Sequence, residues 1–267
     1  MSIDPRAIIE DGARLGRGVE IGPYAIIGKH AVIGDSVRIG AFTVLEGRTT
    51  LAKGVTIGHH AVLGTPPQDV AYRDEKTSVE IGEDTVVREF ATIHRATGEG
   101  CSTRIGKSCF LMAYCHIAHN CRVGNAVTMA NGASLSGYVV VEDMATLSGL
   151  VGVHQFVRIG RMAMVGGLSK VVKDIPPFSL ADGHTARLYG LNLVGMKRRK
   201  MTKEEREEIK KTYVLIRKQG IPENVHDLNG EWSTLGTLGL EIVQFYLESK
   251  RGVTRFSLEN KSLSDVC

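Results

Sequence analysis

No uninterrupted apolar run of 18 occurs anywhere in the 267 residues, and the N-terminus, Met-Ser-Ile-Asp-Pro-Arg, has no apolar core of the secretory kind. Neither stable membrane insertion nor export is therefore expected, and a cytoplasmic protein is. Aromatic residues make up only 6%, with a single Trp. No aromatic stacking platform or nucleic-acid motif accompanies the basic residues, which argues against a nucleic-acid partner. A Ser–His–Asp order, a phosphate-cradling loop and a Rossmann glycine pattern are likewise missing. Flat threonine ladders, which would suit an ice-binding prism, are absent too. Cysteine is sparse, five in all.

What the chain does have is a period of six. An aliphatic residue, or Met129, recurs at every sixth position from Ile3 through Ile9, Leu15 and Ile21 to Val171, broken only at Asp69, Glu75 and Glu99. Neither a helix of period 3.6 nor a strand of period 2 holds such a phase, whereas a hexapeptide β-helix does. Three hexads close one triangular coil, so residues 18 apart lie one above another, about 4.8 Å apart. About ten coils imply a prism of roughly 45–50 Å at that spacing. Gly often follows the aliphatic position, as at Gly16, Gly22, Gly40 and Gly124, where the corner needs positive φ or leaves no room for Cβ. A small residue four places on (Ala25, Ala61, Ala91, Ala133) forms a second inward column. Cys109, Cys115 and Cys121 fall in this column, so they read as buried reduced thiols and not as a metal trio. Cys101 lies in a loop and Cys267 is terminal.

The three exceptions mark excursions from the prism, loops at about 65–78 and 98–103. The β-helix domain is expected to span 1–177 and to close at Ile175-Pro176-Pro177. An irregular connection (178–195) and a C-terminal helical domain (196–267) follow. Thr202 with Glu205 predicts a capping box for a helix ended by Gly220 and Pro222, and a second helix is predicted near Thr234–Ser249. Residues 252–267 read as a weakly ordered tail. Net charge is only +4, yet ten basic residues against four acidic ones crowd 196–220. That patch suits either a solvated helix face or a phosphate-bearing or acidic partner.

The histidines cluster between 94 and 154, with two in His116-Ile-Ala-His119. Steps of 18 from His119 lead to Gly137 and Gln155, which places the three on one external column. An imidazole beside an open backbone N–H is the minimum equipment for acyl transfer. The ring removes a proton from an attacking hydroxyl, and the N–H stabilises the oxyanion. His116 and His154 read as substrate contacts or inter-subunit packing. Zinc is disfavoured because the H-x-x-H spacing brings no third ligand, and no metal is expected.

Pro67-Gln68-Asp69, Thr92-Ile93-His94-Arg95, His116-Ile-Ala-His119, Val153-His154-Gln155-Phe156, Met164-Val165-Gly166-Gly167, Asp174-Ile-Pro-Pro177, Gly190-Leu-Asn192 and Gly195-Met-Lys197-Arg198-Arg199 occur in that order. Together they resemble the acyl-carrier-protein–UDP-N-acetylglucosamine O-acyltransferases that begin lipid A synthesis, over essentially the whole chain. The resemblance implies a left-handed parallel β-helix with a C-terminal α-helical domain, and a homotrimer with active sites between subunits. It also implies transfer of a (3R)-hydroxyacyl chain from acyl carrier protein to the sugar 3-OH, with no cofactor beyond the carrier's phosphopantetheine. By motif match His119 is the general base and the Gly137 N–H the oxyanion donor. Gln68, Asp69, His116, Tyr138, His154, Gln155, Asn192 and Arg198 contact the nucleotide sugar or phosphopantetheine, and Gly167 limits acyl length, favouring about fourteen carbons over ten. The basic patch would meet the acidic carrier protein.

Four positions depart from the family pattern. Asn120 stands where Asp is common beside the histidine, Tyr138 where His is common, Ala71 for a lysine and Val194 for a glutamate. They leave open a second acceptor, a UDP sugar carrying an amine at C3, which would give an amide.

Overall fold

The computed structural model describes residues 2–224 and 229–257. The hexads form short strands, most of two residues, that assemble into three parallel sheets. The first runs from Ser2–Ile3 through Glu20–Ile21 to Met164–Val165 and beyond, the second from Ile8–Ile9 to Lys170–Val171, the third from Arg14–Leu15 to Arg158–Ile159. Successive coils stack in strict register, Ile3 on Ile21 and Ile9 on Ile27. The result is a left-handed parallel β-helix.

In most two-residue strands the first residue is exposed or half-buried and the second is buried, so the aliphatic column fills the axis. Ile27, Leu63, Leu111, Ile117, Leu135 and Leu147 are fully buried. The small column lies beside it as Ala25, Ala61, Ala91 and Ala133. Thr43 and Thr85 also occupy this column, each donating its hydroxyl to a carbonyl of the next coil, Gly58 and Gly106, at 2.8 Å. A buried hydroxyl is tolerated there because its hydrogen bond is made.

The glycines after the aliphatic positions are explained by crowding. A Cβ on Gly22 would stand 2.8 Å from the Ala41 nitrogen, and one on Gly124 2.7 Å from that of Asp143. Positive φ belongs instead to the residue two places later, Tyr24 (58°), Phe42 (59°) and Tyr114 (62°) among them. The corner turns at these non-glycine residues. Their side chains therefore project outward, and between the first and second sheets Tyr24, Phe42, His60, Phe90 and Tyr114 stack at 4.8–5.0 Å.

Beyond Val171 the connection expected to be irregular is ordered. Ser179–Asp182 extends the first sheet beside Met164–Val165, and Arg187–Leu191 returns antiparallel to it. The aliphatic grid stops while the backbone ladder continues for one more rung, so the prism outlasts its sequence signal. Among the described residues three helices follow, α1 (Leu193–Arg198), α2 (Lys203–Gln219) and α3 (Thr237–Glu248), with a 3-10 turn at Gly230–Thr234. Thr202 and Glu205 form the reciprocal capping box of α2. The helices cover the end of the prism through Met162, Phe178, Met196, Ile209, Tyr213, Trp232 and Ile242. Arg161 pairs with Glu241 at 2.6 Å, and Arg158 bridges Glu142 and Glu248 at 2.8 and 3.0 Å. The expected loose tail is corrected in part, since Val253 pairs with Asp174 and Phe256 with Leu188. The rest of it, 258–267, lies outside the described residues.

Cys109, Cys115 and Cys121 are buried free thiols that point into the core, donating to the carbonyls of Gly124, Ala130 and Ser136 at 3.0–3.2 Å. Burial raises the Cys109 thiol, pushes Cys115 up to about 11 and Cys121 up to about 12. Cys101 is exposed. A thiol reagent at neutral pH is expected to label Cys101 in the folded protein and to reach the three core cysteines only on unfolding. Mass mapping of the labelled peptides checks this, and rapid native labelling of Cys121 would contradict the packing.

Candidate active site

The corner between the second and third sheets brings several of the expected site residues together. His116 pairs with Ser134 and Ser134 with Gly152, so three residues further on His119, Gly137 and Gln155 share one column. Backbone bonds continue this alignment round the corner, from Tyr138 N–H to the His119 carbonyl (3.0 Å) and from Phe156 N–H to that of Gly137 (3.1 Å). The His119 ring lies directly over Gly137. A Cβ there would come within 2.6 Å of ring atoms Cε1 and Nε2. Only glycine leaves this space, and among the described residues the Gly137 N–H has no acceptor.

The first loop closes over the same corner. Arg95, in the column beneath His119, donates to the Tyr72 hydroxyl (3.0 Å) and the Gly64 carbonyl (2.8 Å), and its guanidinium lies over the Tyr72 ring. Asp69 accepts from the Ala71 N–H at 2.9 Å through Oδ1, leaving Oδ2 3.9 Å from His119 Nε2. A negative charge thus faces the ring nitrogen that looks away from the prism. Gln68, its neighbour, is exposed.

On its other side His119 Nδ1 meets the Asn120 side-chain oxygen at 2.9 Å. Asn120 is held by Thr97, and the Thr97 hydroxyl is 3.2 Å from that of Tyr138. The Tyr138 ring stands edge-on to His119 and stacks on Phe156 at 4.9 Å. Along the adjoining face His116 Nδ1 lies 2.8 Å from the Thr92 hydroxyl, and the buried His94 ring packs edge-on against it at 5.2 Å. Burial, aided by His116 and His119, pushes His94 down to about 4, and burial also lowers His116. Both are neutral at pH 7, so they shape the pocket without adding charge. His154 is exposed on the same face, its Nδ1 3.2 Å from the Gln155 carbonyl.

Three expected site residues stand elsewhere in the chain. Gly167 sits at the corner between the first and second sheets, beside Gly149. Asn192 caps α1, accepting from the Gly195 N–H and donating to the Met162 carbonyl, both at 2.9 Å. That puts it, with exposed Arg198, near the third corner. His94, Arg95 and Thr97 are the residues the step of 18 missed. The two loops widen the spacing, so that Val62 pairs with Thr92 and Thr92 with His116. Among the described residues no three His, Cys, Asp or Glu side chains gather as a metal site would need, and no helix is long and apolar enough to cross a membrane.

A hexapeptide β-helix with an external histidine over an open glycine N–H defines an acyltransferase of the hexapeptide-repeat class. The bacterial transferase hexapeptide model matches residues 30–65 and 102–137, and the model described as UDP-N-acetylglucosamine O-acyltransferase, domain 2, matches 174–254. An acyl-[acyl-carrier-protein]–UDP-N-acetylglucosamine O-acyltransferase of Alkalilimnicola ehrlichii is 47% identical over 95% of this chain and 99% of its own length. The alignment with the Synechocystis enzyme of that name, 44% identical, covers 67% of this chain and 65% of that protein. The solved UDP-N-acetylglucosamine acyltransferase of Campylobacter jejuni superposes with a TM-score of 0.89 at 39% identity, covering 96% of this chain and all of that one. The chain belongs to the acyl-[acyl-carrier-protein]–UDP-N-acetylglucosamine O-acyltransferase family.

Neutral, buried His94 makes stability depend on pH. Its folded value near 4 lies below the ordinary 6.5. Above about 6.5 neither state binds the proton; below it the unfolded chain binds one that the folded chain refuses, so stability falls from about pH 6.5 towards 4. The loss reaches up to about 3 kcal/mol. Urea midpoints at pH 7.5 and 5 are expected to differ less in His94→Gln than in the wild type.

Proposed function

We propose that the protein transfers a (3R)-hydroxyacyl chain from the phosphopantetheine thioester of acyl carrier protein to the 3-OH of UDP-N-acetylglucosamine, with His119 as general base. The observation that carries the residue roles is the imidazole lying over the unbonded Gly137 N–H, where a Cβ would collide with the ring. His119 Nε2 takes the sugar hydroxyl proton as the oxygen attacks the thioester carbonyl. The tetrahedral oxyanion accepts the Gly137 N–H. Collapse breaks the C–S bond, and the proton on His119 passes to the departing sulfur to give the carrier's thiol. Asp69 Oδ2 faces the imidazolium that forms between these steps. No cofactor beyond the carrier's phosphopantetheine enters this scheme.

The acting form is a homotrimer. Tyr24, Phe42, Phe90, Tyr114, Leu150 and Leu168 leave a ladder of large apolar side chains 44–69% exposed along one corner. A stripe of this length supports burial against another copy. Gly167 borders the stripe and His119 stands on a different corner, so neighbouring copies can complete each other's sites. Gln68, Gln155 and His154 are available to the sugar nucleotide at the His119 corner, while Arg198 and the basic face of α2 suit phosphates and an acidic carrier protein. We place the reaction in the cytoplasm, a reading that three reduced core thiols support.

His119→Ala and Gly137→Ala are expected to lower kcat by about 100-fold or more while leaving the fold intact. Mass spectrometry of product from (3R)-hydroxymyristoyl carrier protein measures the loss, and near-native turnover of His119→Ala would remove the base from the scheme. Supplying the 3-amino sugar in parallel decides between ester and amide. A Cβ on Gly167 would meet only the Gly149 carbonyl at 3.4 Å and Ser148 at 3.9 Å. Gly167→Met is therefore expected to fold normally and to shift donor preference from about fourteen carbons towards ten, read by competition between carrier proteins of the two chain lengths. Phe90→Asp is expected to reduce the trimer to smaller species in light scattering.

A further inference from the structure

The network behind His119 is made of neutral groups, and its geometry has a chemical consequence. Asn120 Oδ1 accepts from the Thr97 main-chain N–H at 2.9 Å, and Asn120 Nδ2 donates to the Thr97 main-chain carbonyl at 3.0 Å. This two-point pairing with one residue allows the amide a single orientation. Reversed, it would set N–H against N–H and oxygen against oxygen. The oxygen so placed also lies 2.9 Å from His119 Nδ1. An amide oxygen only accepts, so Nδ1 must carry the hydrogen and Nε2 the lone pair. The Thr97 hydroxyl, between Asn120 Oδ1 at 3.3 Å and the Tyr138 hydroxyl at 3.2 Å, ties in the next coil.

We propose that Thr97 and Asn120 are positioning residues that lock His119 in its Nδ1–H tautomer, giving a neutral clamp the task that a carboxylate would otherwise perform. The main chain supplies the fixed point. Thr97 is buried where the second loop leaves the prism, so the clamp is anchored to the core and not to a flexible side chain. Free histidine favours the opposite tautomer, with hydrogen on Nε2, and in that form the ring could not take a proton at the nitrogen facing the acceptor.

The lock is read by 15N spectroscopy of the whole protein labelled at histidine, with His119 assigned by its disappearance in His119→Gln. The expected wild-type signature is a protonated Nδ1 and an unprotonated Nε2. Asn120→Ala is expected to give a mixed or Nε2–H signature and a kcat about 10- to 100-fold lower, with KM for the sugar nucleotide changed less than about 3-fold. Asn120→Asp keeps an oxygen for Nδ1–H but sets a second, negatively charged oxygen against the Thr97 carbonyl, so it should retain the wild-type tautomer with kcat between the two. A wild-type Nε2–H signature, or an Asn120→Ala variant with unchanged tautomer and kcat, overturns the proposal. The kcat arm rests on the proposed acyl transfer, whereas the spectrum needs no substrate. An inactive wild type with the expected signature would therefore count against the reaction and leave the lock standing.

Discussion

Everything in this molecule hangs on the stacking of one coil on the next in unbroken register. Each rung joins short strands whose inner residues meet the same residue type above and below, so the aliphatic column and its parallel hydrogen bonds extend together. A side chain one position out of phase would turn a core residue outward, and the penalty would repeat at every neighbour. Crowding at the corners adds a second restriction, since the glycines approach the backbone of the following coil closely enough to exclude Cβ. The same rigidity allows two polar excursions to leave the prism and return without disturbing it.

That rigidity supports the proposed chemistry. A histidine on a flexible loop would have to be ordered for each turnover, whereas His119 is held by a rung beneath, Tyr138 above and Asn120 beside it. Its surroundings are differentiated by burial. His94 and His116 are desolvated and neutral at pH 7, so neither places a positive charge beside the His119 ring. The carboxylate of Asp69 approaches from the loop, with Oδ2 3.9 Å from His119 Nε2.

The prism was legible because its period is carried by nearly every coil, and the His119–Gly137–Gln155 column followed from counting. Counting failed where residues were inserted. The loops lengthen two coils, so a fixed step from His119 does not reach Arg95, and His94 looked like one member of a histidine cluster and not a buried, depressed group. The extra rung at Ser179–Asp182 escaped because Pro176, Pro177 and polar neighbours end the aliphatic pattern while main-chain pairing, which leaves no mark in composition, goes on. The capping box of α2 was readable since it is local, Thr202 to Glu205. The pairing of Val253 with Asp174 was not, because it joins residues 79 positions apart in sequence through main-chain bonds, from Asp174 N–H to the Gly252 carbonyl and from Thr254 N–H to that of Asp174.

The distribution of family-pattern residues among the corners carries one more step. His119, Gly137, Asp69 and Tyr138 gather at one corner, Gly167 lies at the second, and Asn192 with Arg198 lies near the third. A prism cannot bend to bring its corners together, so a substrate that touches all three groups must be held by more than one copy. The aromatic ladder beside Gly167 supplies a surface on which a second copy can rest. In the proposed trimer, assembly and catalysis are coupled through geometry alone. On that proposal, a change that separates the copies leaves every His119 contact within the chain intact and removes the groups contributed by the second copy, so turnover should fall with dissociation even though the proposed base and its clamp are unchanged.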